Sequence, residues 1–135
     1  MLVVIGRWGL KVKEDRQRKR DELMARRAAV LQVVDGIGRG KLVTLEKEKQ
    51  IFKIGAATGA QESERNDLVI SDSGSLVSRY HCTLIKKDGD YYLVDASMNG
   101  TLLNGEPVDR GDHHRLEDGD EITIADVSRL KFLHT

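Results

Sequence analysis

The side chains with chemical potential cluster late in the chain. Ser78, Arg79 and His81 fall within four positions, followed by Asp95 and then Asn99, Gly100 and Thr101. Ser78, His81 and Asp95 could supply a hydrolase triad, in which a base takes the proton of a nucleophilic hydroxyl. The spacing argues against it. Ser78 and His81 stand three apart in one loop, and no Gly-x-Ser-x-Gly turn presents a nucleophile, so no catalytic residue is assigned. Asp112, His113 and His114 have the chemistry of metal ligands, but adjacent histidines in a strand point to opposite faces. The stretch reads as a solvated loop, and neither a metal nor a cofactor is expected. The lone Cys82 can form neither an internal disulfide nor a cysteine cluster.

The elements that must position these residues are short. From residue 30, nine apolar runs recur: Val30–Val34, Leu42–Leu45, Ile51–Ile54, Leu68–Ile70, Cys82–Ile85, Tyr91–Val94, Thr101–Leu103, Ile122–Ile124 and Leu130–Leu133. Asp35-Gly36, Asp88-Gly89, Asn99-Gly100, Asn104-Gly105 and Asp118-Gly119 punctuate them, and these pairs tolerate the positive φ of tight turns. Regular short strands without helical period predict an all-β sandwich or barrel. The single proline, Pro107, belongs in a loop or edge position.

The N-terminal segment is different material. Residues 1–35 carry nine Lys/Arg against five Asp/Glu, whereas 36–135 carry 13 against 17, so the chain's overall neutrality hides a split. Glu14 and Arg18, Asp15 and Lys19, and Glu22 and Arg26 are spaced i,i+4 with the acid first, which predicts a charged helix over roughly 11–28. The basic run Arg16–Arg20 is interrupted by Gln17, flanked by acids and free of aromatics, so specific nucleic-acid binding is not expected. Leu2-Val3-Val4-Ile5 leads into Arg7-Trp8 and further lysines, the pattern at the cytoplasmic side of a membrane span. No window approaches the ~20 apolar residues of the span itself. Two readings stand for this segment: membrane-surface association, or a frayed terminus with a linker helix. A reducing compartment, the cytoplasm, is expected, with tethering at the cytoplasmic face of a membrane under the first reading.

The order of polar motifs between the strands carries the identification. Ile54-Gly55 is followed by Asn66-Asp67-Leu68-Val69-Ile70, Ser78-Arg79-Tyr80-His81, Leu93-Val94-Asp95, Ser97-Met98-Asn99-Gly100-Thr101, Leu103-Asn104-Gly105 and Leu116-Glu117-Asp118-Gly119-Asp120. No single motif is specific. Together, in register, they resemble the forkhead-associated (FHA) domain family from about residue 30 to 135, with residues 1–29 as a separate charged segment. The resemblance implies an FHA-type β-sandwich of about eleven strands whose loops at one end bind phosphothreonine peptides in signalling or assembly. It implies that Ser78 and Arg79 contact phosphate and that Asn99 holds the peptide backbone. Gly55, His81, Gly100 and Thr101 would be structural members of the motifs.

One departure stands out. The family usually follows the glycine of the third strand with an arginine that contacts phosphate, and here the pair is Gly55-Ala56. Losing one charge-assisted hydrogen bond costs about 1.5–3 kcal/mol. The following loop is long and ends in Arg65, so two expectations compete. Either Arg65 or Arg79 replaces the missing cation, or the domain binds its partner without phosphate, as a scaffold or by self-association. The Gly38-Arg39 pair sits one hairpin too early to supply it and reads as a turn.

Overall fold

The computed structural model describes Arg18, residues 29–59, Gln61 and residues 64–134. The charged helix expected over 11–28 lies outside these residues except for Arg18. Eleven strands form two packed sheets. Strands β1 (Ala29–Gly36), β2 (Leu42–Leu45), β7 (Thr101–Leu103), β8 (Glu106–Pro107), β10 (Glu121–Ile124) and β11 (Ser128–His134) make a six-stranded sheet in the order β2-β1-β11-β10-β7-β8. Strands β3 (Ile51–Gly55), β4 (Leu68–Val69), β5 (Cys82–Lys87), β6 (Asp90–Asp95) and β9 (His113–Leu116) make a five-stranded sheet in the order β4-β3-β5-β6-β9. Neighbours pair antiparallel, except that β4 runs parallel to β3.

Strict alternation builds the core. On β6, Tyr91, Leu93 and Asp95 turn inward while Asp90, Tyr92 and Val94 stay partly exposed. Phe52 and Ile54 of β3 and Leu84 of β5 meet Leu31, Ile122, Ile124 and Leu130 from the other sheet. Tyr91 bridges the layers, edge-on to Phe132 with ring centres 5.4 Å apart. Each fully buried side chain of this size contributes about 1.5–3 kcal/mol, so the apolar interlayer holds the scaffold rigid beneath the loops.

The hairpins follow local turn chemistry. Asp88 and Gly89 connect β5 to β6 with φ of 53° and 84°, and Asn104 and Gly105 connect β7 to β8 with 53° and 85°. The Gly38-Arg39 pair lies in the β1–β2 turn, where Gly40 N–H donates to Val33 O at 2.9 Å. Two strands escape the apolar pattern. Glu106–Pro107 is a two-residue edge strand, which accommodates the proline. His113–Leu116 is also an edge strand, not the solvated loop expected around His113 and His114. Its register against β6 anchors it, although Leu116 is its one buried residue.

The two ends of the sandwich are distinct. β1 and β11 pair from Ala29↔His134 at one end to Gly36↔Ser128 at the other. The second end gathers the loops after β3, β4 and β6, and Ala125 N–H there donates to Gly100 O at 3.3 Å.

Candidate functional site

The site begins with a glycine that has no room for a side chain. A Cβ on Gly55 would lie 2.2 Å from the carbonyl oxygen of Arg79. This close approach lets the 78–81 loop zip onto the end of β3. Ala56 N–H donates to Ser78 O at 3.0 Å, Ala57 N–H to Arg79 O at 3.1 Å, and His81 N–H to Ile54 O at 2.8 Å. Asn66, which is buried, donates its side-chain amide to Ala57 O at 2.9 Å and Arg79 O at 2.8 Å.

His81 locks the loop from beneath. It is fully buried, and its Nδ1 accepts the N–H of Ser78 at 3.1 Å while Nε2 meets Gly100 O at 2.9 Å. A carbonyl can only accept, so Nε2 carries the proton and Nδ1 does not. The neutral ring thereby joins the Ser78 loop to the turn after β6. That turn is built on the buried Asp95, which accepts from Thr101 Oγ1 at 2.7 Å and from Ser97 N–H at 3.1 Å. Ser97 Oγ in turn accepts the N–H of Gly100 at 2.8 Å. Gly100 has φ of +95°, a left-handed backbone that suits glycine. Two of the three triad candidates are therefore committed elsewhere: both ring nitrogens of His81 serve backbone groups, and Asp95 holds a turn. Cys82 lies beneath, and burial, with the charge of Asp95 as a lesser cause, pushes its thiol far above the ordinary range.

Two cross-loop bonds set the walls of a cleft. Met98 N–H donates to Ser78 Oγ at 3.0 Å, and Asn99 Nδ2 donates to Leu76 O at 2.8 Å. The first uses the acceptor side of the serine and leaves its hydroxyl proton to donate outward. The second leaves Asn99 Oδ1 as an acceptor. The Arg79 guanidinium is exposed and makes no ion pair with a described residue. Ser78, Arg79 and Asn99 line one cleft of about 580 Å³, with the methyl group of Ala56 in its wall.

Arg65 is not brought to this cleft. Its Nε donates to Gly59 O at 3.4 Å within its own loop, and that loop is tied to Tyr80, whose hydroxyl donates to Glu64 O at 2.8 Å. The cleft contains instead a residue that motif reading passed over, Asp72. Its carboxylate accepts the N–H of Leu76 at 2.9 Å and of Val77 at 3.0 Å, and these bonds hold its carboxyl below the usual range. Asn66, Asp72 and Ser97 act through backbone partners, which their residue types did not reveal in the sequence.

Known proteins resemble this chain in sequence and fold. The chain is 36% identical over 58 residues to the serine/threonine-protein kinase RAD53 of Saccharomyces cerevisiae, covering 43% of this chain and 7% of the kinase. It is 29% identical over 102 residues to protein FraH of a Nostoc species, covering 69% of this chain and 35% of FraH. The chain thus spans about a third or less of the curated relatives it matches. Among solved structures, the N-terminal FHA domain of S. cerevisiae Rad53p, in complex with a phosphothreonine peptide, superposes with a TM-score of 0.67 at 24% identity, covering 80% of this chain and 94% of that one. The sequence model of the FHA domain matches residues 52–125. That stretch runs from β3 through the cleft loops to the turn after β10, and on it the chain belongs to the FHA-domain family.

Proposed function

We propose that the cleft at Ser78, Arg79 and Asn99 is a non-catalytic recognition site for phosphothreonine-containing segments of partner proteins. The observation that carries this reading is the convergence of three uncommitted groups on one cleft. The Ser78 hydroxyl proton and the Arg79 guanidinium suit the strong acceptor oxygens of a phosphate, and Asn99 Oδ1 suits a peptide N–H. The phosphothreonine peptide bound to the related yeast domain supports the ligand class. With Ala56 where the family usually has arginine, and Arg65 folded onto Gly59, Arg79 carries the positive charge of the cleft.

A second reading draws on the same wall. Ala56 and Met98 present apolar surface, and Asp72 adds a negative charge. These features favour an unphosphorylated partner in a scaffold or self-associating role. Binding of the protein to a degenerate phosphothreonine library, beside the matched unphosphorylated library, separates the two. The expected result is selective binding that falls about tenfold to a hundredfold in Arg79→Ala, from loss of charge-assisted bonds, and falls also in Ser78→Ala. Equal binding of both libraries by the folded protein would assign the cleft to the second reading.

A further inference from the structure

Two opposite charges face the cleft without meeting. Asp72 and Arg79 both line it, and among the described residues neither forms an ion pair. Each oxygen of Asp72 accepts one backbone N–H, which fixes the carboxylate and leaves further lone pairs on both oxygens. A carboxylate beside an anion site opposes the anion unless the ligand brings a cation with it. Met98, 80% exposed, lines the same cleft as these charges. Its unbranched thioether offers an adaptable apolar surface of the kind along which long basic side chains lay their stems.

Resting on the phosphopeptide reading above, we propose that the cleft selects phosphorylated segments that carry a Lys or Arg near the phosphorylated residue. The methylene stem lies on Met98 and the cationic head reaches Asp72, while Arg79 and Ser78 hold the phosphate. The ligand class is therefore amphoteric: a phosphate and a base within one short stretch of chain.

The test uses the whole chain and phosphothreonine libraries in which one flanking position at a time is fixed as Lys, norleucine or Glu. Norleucine keeps the stem and removes the charge. The expected result is one position at which Lys binds about threefold to fivefold tighter than norleucine, the range of an open ion pair, with Glu weakest. Asp72→Asn should bring that ratio close to one. Equal binding of Lys and norleucine at every position, with selectivity for phosphate intact, overturns this inference alone. Loss of selectivity for phosphate in the folded wild-type protein overturns the phosphopeptide reading and this one together. Should Asp72→Asn fail to fold, the Lys-to-norleucine ratio of the wild type is compared at about 0.01 M and about 1 M salt, where screening lengths are ~30 Å and ~3 Å. A ratio that falls with salt supports the ion pair, and one that holds its value overturns it.

Discussion

The β5–β6 hairpin and the cleft end of this sandwich are built by different rules. At the end that carries Ala29 and His134, the β5–β6 hairpin turns on Asp88 and Gly89, two neighbours whose own backbone preferences suffice. At the other end, the loops are held by side chains that reach far along the sequence: Asn66 to Arg79, His81 to Gly100, Asn99 to Leu76. Buried polar residues follow the same division, with Asn66, His81, Asp95, Ser97 and Thr101 all at the recognition end. The difference teaches where shape comes from. A hairpin needs only local chemistry, whereas a site that must aim three groups at one ligand takes its shape from partners across the fold.

The sharpest way to break this comparison is a pair of glycines. Gly55→Ala places a methyl against the Arg79 carbonyl at 2.2 Å and should cost about 3 kcal/mol or more, the upper range for overpacking. Gly89→Ala meets nothing within 4 Å and should cost only the strain of a left-handed backbone, about 1–2 kcal/mol. Urea denaturation of both variants checks the ordering, and equal losses would mean that the loop at Arg79 shifts freely. Next in size is Thr101→Val, which keeps the shape and removes the hydroxyl that donates to Asp95. A loss of about 1.5–3 kcal/mol is expected, with weaker peptide binding because the Asn99 turn loosens. Full stability in this variant would show that Asp95 finds another donor. The smallest effect concerns the β10–β11 turn, where Ala125 and Asp126 hold φ of 47° and 60° without glycine or asparagine. Ala125→Gly should raise stability by roughly 0.5–1 kcal/mol, relief of strain less the added chain entropy. A lower thermal midpoint would contradict that reading of the turn.

These contrasts also mark what was legible in the sequence. Asp88-Gly89 and Asn104-Gly105 announced their hairpins because the signal sits in adjacent residues. The strands of the core announced themselves as short apolar runs between turn residues. His113–Leu116 did not, since an edge strand with one buried side chain looks polar from outside. Ala125-Asp126 did not, since alanine rarely takes a left-handed backbone and no glycine follows the aspartate. At the site, Ser78, Arg79 and Asn99 were readable from motif order, and the structure brings them to one cleft. Arg65 was read, beside Arg79, as a candidate replacement cation because an arginine ends the long loop, yet nothing local revealed that it would turn toward Gly59. Asp72 was missed because its partners are the backbone N–H groups of Leu76 and Val77, which no residue type advertises.

The pairing of Ala29 with His134 has a mechanical consequence. These residues lie on neighbouring antiparallel strands, at the end away from the cleft. Tension applied between them would load the ladder one rung at a time, from the outermost pair inward, as a zipper opens. A shear arrangement would instead load all its rungs together and resist a far larger force. The domain is thus poorly suited to bear load between these two residues. If it is pulled, its recognition loops are the last part to feel the strain.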